Sequence, residues 1–354
     1  MGKVSRKING LRLMFVLSLL SLLLILNFIK ALPYKLLTYD GFQYLRMSES
    51  FWSFKFDYTL PYRSPLISLL LIPDIKLARI ETILLYVASC FLFYLFVKKK
   101  LKVKDAIFSL ILFSFCWWNI LFTLEIATEY FSFFFLLLGF LTNNYILRSI
   151  FLSFSFLLRP DSIVFILPFF LFLEKDKGVP PLFIFLSFSI DFLLSFLFYK
   201  SLNISFVNFF VENFVEKTPW KISPGGFFWA RFLQTLPQYA LLLFGAFFMR
   251  IGRNEKKFFF LSLLLVFFIG FLPFTNDRIF FMKILPLASV SGVFLLRKIK
   301  SYSSLIVVLF FSLNLFTIIF LQYPPWLAEM KCYSFEFCSN IATSLFYEGF
   351  LFRI

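Results

Sequence analysis

The stretch Ile80-Glu81-Thr82-Ile83-Leu84-Leu85-Tyr86-Val87-Ala88-Ser89-Cys90-Phe91-Leu92-Phe93-Tyr94-Leu95-Phe96-Val97, closed by Lys98-Lys99-Lys100, decides the fold. It is a long apolar run that ends in a block of cations. A membrane-spanning helix needs roughly 17–25 mostly apolar residues, and short connections rich in Lys and Arg mark the cytoplasmic side of such a helix. The composition shows that this run is typical of the chain. Of its 354 residues 60% are hydrophobic and only 15% charged, 60 are Phe, and the mean hydropathy is +0.87. An ordinary soluble domain is roughly 45–50% apolar and about 25% charged. A water-soluble enzyme is therefore excluded, and so is a disordered chain, which needs high charge and few aromatics. The fold class expected is all-α, a polytopic transmembrane helical bundle.

Outward from that run, about eleven apolar segments follow one another: Leu11–Ala31, Ile80–Val97, Ala106–Phe122, Tyr130–Leu141, Ile146–Leu158, Ser162–Leu173, Pro180–Tyr199, Leu236–Met249, Phe258–Pro273, Ile279–Leu296 and Ser303–Leu321. The first reads as a span rather than a cleaved leader, because it lacks a small-residue cleavage site and a further apolar array follows. The pair Ile146–Leu158 and Ser162–Leu173 is short for two crossings and reads as a tilted hairpin with Arg159-Pro160-Asp161 at its tip, since the residue before a proline leaves the helical region. With the amino end cytoplasmic, the short connections at 98–104, 148, 175–177, 250–257 and 297–300, together with the amino end itself, hold more than half of the 35 Lys and Arg residues. The net charge of +16 is then mainly a topology signal. No basic soluble domain stands apart from the spans, so nucleic acid is not an expected partner. The long loops, Leu32–Arg79, Lys200–Thr235 and Gln322–Ile354, fall outside, and any chemistry is expected on the extracytoplasmic face of a plasma membrane. Residues 1–322 form the transmembrane domain and 323–354 a short outer tail, in which Cys332 and Cys338 are placed to form a disulfide in an oxidising compartment.

The chain contains no His. That removes Ser-His-Asp and Cys-His catalysis, imidazole relays and His-bound metals. Cys90 and Cys116 lie inside apolar runs and read as small buried hydrophobes. What remains is carboxylate, guanidinium, ammonium and hydroxyl chemistry. Asp40 lies just past the first span, where a carboxylate is costly without a partner or a task; it reads as a general base or as a helix N-cap. Phe42–Phe56 and Ile204–Val215 each have the pattern of an amphipathic helix lying in the membrane interface. Arg63, at the rim of the second span, suits a phosphate in bidentate fashion or a lipid headgroup. Glu125 and Glu129 open the fourth span at i,i+4 spacing, which places both carboxylates on one helical face. They suit sugar hydroxyls, or, with Asp40, a divalent cation such as Mg or Mn. Arg159 and Asp161 tip the hairpin; Asp277 and Arg278 sit in the loop between the ninth and tenth spans, with Lys283 about one turn deeper. Arg278 and Lys283 are candidates for stabilising a phosphate leaving group. Asp191 stands alone within a span, a position that is functional by default.

These residues, in this order, resemble the GT-C superfamily of membrane glycosyltransferases, nearest to its protein O-mannosyltransferase and aminoarabinose-transferase branch. The resemblance rests on Asp40 followed by Tyr44, on Arg63-Ser64-Pro65-Leu66 ahead of the second span, on Glu125–Glu129, on Leu158-Arg159-Pro160-Asp161, and on Arg278 in a loop ahead of Leu285-Pro286. Many members carry Asp where Glu129 stands, and the tail here is too short for their large soluble domain. The resemblance implies a polyprenyl-phosphate sugar as donor and a glycan, lipid or protein hydroxyl as acceptor. It implies an inverting single displacement with Asp40 as base and Arg278, Arg63 and Arg159 as cations for the leaving phosphate; with the placement of the outer charges, the substrate ligands expected are Tyr44, Arg63, Glu125, Glu129, Arg159, Asp161, Asp277, Arg278 and Lys283. The one cofactor it leaves open is that divalent cation, Mg or Mn. The readings from other classes are a transporter or lipid-linked glycan flippase, whose polar groups should gather at the bilayer midplane, and an O-antigen polymerase or ligase, whose charges should gather in one outer loop.

Overall fold

The computed structural model describes residues 2–31, 39–56, 64–123, 125–199, 232–233, 236–269, 277–299 and 302–320. Among them every one of the expected apolar segments is helical, and no strand occurs. The helices are α1 (Gly2–Ala31), α2 (Tyr39–Trp52), α3 (Leu66–Leu70), α4 (Ile75–Lys98), α5 (Val103–Ser114), α6 (Trp117–Phe122), α7 (Thr128–Leu141), α8 (Tyr145–Leu158), α9 (Ile163–Phe172), α10 (Val179–Tyr199), α11 (Pro237–Leu243), α12 (Arg253–Ile269), α13 (Asp277–Ile299) and α14 (Ser303–Phe320). A 3₁₀ turn, Pro160–Ser162, joins α8 to α9, and a second, Phe244–Phe248, continues α11. The arm at Ile204–Val215, Arg63, and the tail with Cys332 and Cys338 lie outside the described residues.

Among the described residues four helices are long and apolar enough to cross a membrane: α1 over Leu11–Lys30, α4, α10 over Val179–Phe198, and α13 over Phe280–Lys298. The others are shorter. At 1.5 Å per residue the 14 residues of α7 or α8 reach roughly 21 Å, against a hydrocarbon core of about 30 Å. The surface fits lipid: α10 turns Phe185, Phe188, Phe192 and Phe196 outward, and α14 does the same with Leu305, Leu309 and Phe316, whereas Ser and Thr hydroxyls are common inside.

The segment read as one span over Ala106–Phe122 is broken at Phe115-Cys116 into α5 and α6. A helix end inside an apolar bundle leaves four carbonyls without helical donors, and each must find another. The carbonyl of Ile111 accepts from the Phe115 N–H (3.1 Å), that of Leu112 from the Tyr239 hydroxyl (2.7 Å), that of Phe113 from the Asn119 amide (2.9 Å) and that of Ser114 from the Tyr86 hydroxyl (2.6 Å). On the far side of the break, Asn314 of α14 accepts from the Trp117 N–H (3.0 Å). The break is thus held from α4, α11 and α14 at once.

Small residues set the close approaches. A Cβ at Gly245 would lie 1.9 Å from the Ser291 carbonyl oxygen, so only glycine lets the second 3₁₀ turn lie against α13. At Gly139 a Cβ would press on Leu152 at 2.6 Å, where α7 meets α8.

One end of the bundle is the basic end. There Arg297 donates to Asp105 (3.2 and 2.5 Å), Lys100 pairs with Glu255 (2.6 Å), Arg148 pairs with Glu174, and Lys99 donates to the Leu141 carbonyl (3.1 Å). The Arg148–Glu174 pair joins the start of α8 to the residues after α9. The expected hairpin therefore returns the chain to the end it left. Its tip, and the start of α7, lie at the opposite end.

Candidate functional site

At that opposite end, four charged side chains from three elements meet in the interior. Ala127 has extended backbone (φ −130°, ψ 137°) and α7 begins after it, which puts Glu129 in the first helical turn, where the helix dipole favours a carboxylate. Arg159 closes α8 in extended conformation (φ −148°, ψ 98°), as a residue before proline should. The 3₁₀ turn that follows, held by the Ser162 N–H to the Arg159 carbonyl (2.9 Å), folds Asp161 back over Arg159. Arg159 then grips Asp161 with two nitrogens, Nε to Oδ1 at 3.0 Å and Nη2 to Oδ2 at 3.4 Å, and reaches Glu129 Oε1 with Nη1 at 3.3 Å. Lys283 comes from α13, with Nζ 3.6 Å from Asp161 Oδ2. All four side chains are nine-tenths or more buried. One turn deeper, Ser132 donates to the Ser155 carbonyl (2.9 Å) and fastens α7 to α8 directly beneath the Glu129–Arg159 pair.

Two anions and two cations make the cluster neutral, the condition under which buried charge is tolerable. The roles of the two cations differ. The planar fork of Arg159 is committed to two carboxylates. Lys283 is in ion-pair range of Asp161 but beyond hydrogen-bond distance, so its ammonium retains donors for something else. Three polar atoms beside the cluster in sequence are buried without a hydrogen-bond partner: Gln43 Oε1 next to Tyr44, Thr128 Oγ1 next to Glu129, and Ser162 Oγ next to Asp161. Each such atom costs about 1–3 kcal/mol if nothing fills it.

Of the residues singled out by sequence, Tyr44, Glu129, Arg159, Asp161 and Lys283 come together; Tyr44 is buried on α2 within electrostatic reach of Arg159. Glu125 is buried too, and both it and Glu129 act on Tyr130. The shared helical face expected of the two glutamates is corrected: α7 starts at Thr128, so Glu125 lies in the turn before the helix, separated from it by the extended Ala127. Arg278 and Asp277 are corrected in the same way. They form the first turn of α13 rather than a loop, and that helix runs on through Pro286. Asp40 lies in the first turn of α2, one turn before Tyr44. The side chains of Asp40, Asp277 and Arg278 lie outside the description, as does all of Arg63. Asp191 is fully buried on α10 between Ser187 and Ser195, one turn to either side.

Gln43 and Arg79 are among the buried polar groups that the sequence places at the surface: Gln43 falls in a stretch with the pattern of an interfacial helix, and Arg79 at the end of the first outer loop, yet it is buried on α4. Its spacing to Thr82, Tyr86 and Ser89, all buried on one face of α4, is the signal that could have placed it inside.

The cation expected between Asp40 and Glu129 falls on a side chain, that of Asp40, outside the described residues. The charge of Glu129 and Asp161 is already met by Arg159 and Lys283. Among the described residues no three His, Cys, Asp or Glu side chains group as ligands.

No family model, curated protein or solved structure matches the chain. The likeness to GT-C transferases therefore rests on the motifs and their order alone.

Proposed function

We propose that the chain is an integral-membrane glycosyltransferase of GT-C type. Its helices would make a bundle of about eleven membrane segments with the basic end cytoplasmic. The buried cluster would then lie toward the extracytoplasmic face, where a sugar passes from a polyprenyl-phosphate donor to an acceptor hydroxyl. The observation that carries this reading is the buried cluster Glu129–Arg159–Asp161–Lys283, whose sequence neighbours Thr128 and Ser162 hold buried hydroxyls with no hydrogen-bond partner among the described residues. Buried polar groups with hydrogen-bonding capacity to spare are what a site for a polyhydroxyl ligand requires.

In this mechanism Asp40 takes the proton of the acceptor hydroxyl. The oxygen forms a bond to the anomeric carbon as the bond from that carbon to the phosphate oxygen breaks, with inversion. The electron pair leaves with the phosphate, which needs cations rather than a proton. Lys283 supplies one and Arg278 the other, each worth a few kcal/mol at the transition state. Arg159 holds Glu129 and Asp161 in place for the sugar hydroxyls. Membranes containing the protein are to be assayed with a panel of labelled polyprenyl-phosphate sugars. Transfer from at least one donor, lost in Asp40→Asn, supports the reading. Movement of the lipid-linked sugar across the bilayer without transfer favours a flippase instead.

A further inference from the structure

A cavity of about 90 Å³ lies among α4, α7, α9, α12 and α13, one turn from the charged cluster toward the basic end. Its wall follows the cluster residues on three elements: Phe133 after Glu129, Phe165 after Asp161, and Pro286 with Leu287 after Lys283. The walls are almost purely apolar, so water gains nothing there. Protein interiors are close-packed as a rule, and a void beside a buried ion cluster needs a cause. Pro286 supplies one. It stands inside α13 and has no N–H to offer the Met282 carbonyl. Its ring also crowds that carbonyl, and a helix bends away from the side on which such a ring lies. Helical spacing puts Lys283, Pro286, Leu287 and Val290 on one face, and the last three line the cavity.

The two halves of α13 are held differently. On the basic side of Pro286, Ser291 donates to the Leu242 carbonyl (2.8 Å), Gly292 lies so near Leu242 that a Cβ would meet it at 2.8 Å, and Arg297 holds Asp105. On the other side Phe281 stands two residues before Lys283, and so on the opposite face of the helix. It packs edge-on against Trp118 of α6, with ring centroids 5.0 Å apart. The half that carries Lys283 thus rests on α6, and the Lys283 ammonium stops 3.6 Å from Asp161 Oδ2. A charge-assisted hydrogen bond would bring the two to about 2.8 Å. We infer that Pro286 is a positioning residue for Lys283. It props this half of α13 off α7 and α9, which leaves the cavity and holds the ammonium short of a hydrogen bond with Asp161, so that its donors stay available to an anionic ligand. The inference deepens the proposed function and rests on it for the identity of that anion, the leaving phosphate.

The test is the structure of the Pro286→Ala variant, solved beside the wild type by one method, together with kinetics. Alanine restores an N–H to the Met282 carbonyl, so the helix straightens. The Lys283–Asp161 separation is expected to shorten from 3.6 Å to about 2.8 Å and the cavity to close. An unchanged separation overturns the inference, and this outcome is read without reference to transfer. With a polyprenyl-phosphate sugar that the wild type uses, Pro286→Ala is expected to lose about tenfold or more in kcat/KM, since a shift of about 1 Å in a reacting group costs up to about a hundredfold. Its melting temperature is expected not to fall, because alanine suits a helix interior better than proline. Adding Leu136→Phe, which fills the cavity from α7, is expected to restore most of the rate, a rescue that a merely structural proline would not show. No loss of rate in the single variant, or a loss that Leu136→Phe does not repair, overturns the role in positioning. A wild type that transfers no sugar from any donor sinks the proposed function instead, and the Lys283–Asp161 separation still decides the inference.

Discussion

Replacing Arg159 by Met tests whether the cluster is the buried, mutually dependent unit that its geometry describes. The substitution keeps much of the side-chain volume and removes the charge. Asp161 loses a two-point contact at 3.0 and 3.4 Å but retains Lys283 at 3.6 Å; Glu129 loses its 3.3 Å contact. Removing one partner of a buried ion pair costs about 3–5 kcal/mol, because the other charge stays behind without water. With Lys283 still covering one carboxylate, the loss should fall near the lower end, about 3 kcal/mol, or roughly two decades in the unfolding constant. The assay is reversible unfolding in mixed micelles followed by far-ultraviolet circular dichroism. The pair Arg159→Met/Glu129→Gln should be less destabilised than the sum of the single variants, since neutralising the stranded carboxylate removes much of the penalty. A loss of under about 1 kcal/mol, the size of an exposed ion pair, or strict additivity in the pair, would refute the reasoning.

Other consequences can be measured alongside. Tyr239→Phe removes the donor to the Leu112 carbonyl at the break between α5 and α6 and should cost about 1–3 kcal/mol in the same unfolding assay. Gly245→Ala forces the second 3₁₀ turn away from the Ser291 carbonyl. It should destabilise by about 1–3 kcal/mol, visible as a lower melting temperature of the detergent-solubilised protein. In a transfer assay Lys283→Gln should lower kcat by about a hundredfold or more, as expected for the loss of a charge aimed at a leaving phosphate. Glu129→Gln should weaken turnover less completely, because Arg159 keeps its grip on Asp161.

Much of this architecture can be read in the sequence, and what is missed has a common cause. The helices follow from apolar run length. The turn at Arg159-Pro160-Asp161 follows from proline chemistry, since an extended residue before a proline and a short 3₁₀ turn after it are local effects. The meeting of Arg159 with Asp161 is local too. The break at Phe115-Cys116 is not. Its stability lies in Tyr86, Tyr239 and Asn314, which are remote in sequence and unremarkable in composition. Glu125 and Glu129 look like a helical pair because spacing alone does not reveal that Ala127 is extended. Gln43 and Arg79 look like surface residues because hydropathy averages over a turn and hides which face of a helix is inside. Lys283 is the intermediate case: the sequence puts it one turn inside a span, and only the fold, which brings its Nζ to 3.6 Å from Asp161, shows that the two meet.

The central claim is that this charged interior serves sugar transfer. The most direct measurement is the initial rate of label transfer from a polyprenyl-phosphate sugar in reconstituted vesicles, wild type against Asp40→Asn. The account predicts transfer by the wild type and a loss of about 10²–10⁴-fold in the variant, the contribution typical of a general base, with the variant folding as the wild type does. An Asp40→Asn protein that transfers sugar at an undiminished rate would contradict it.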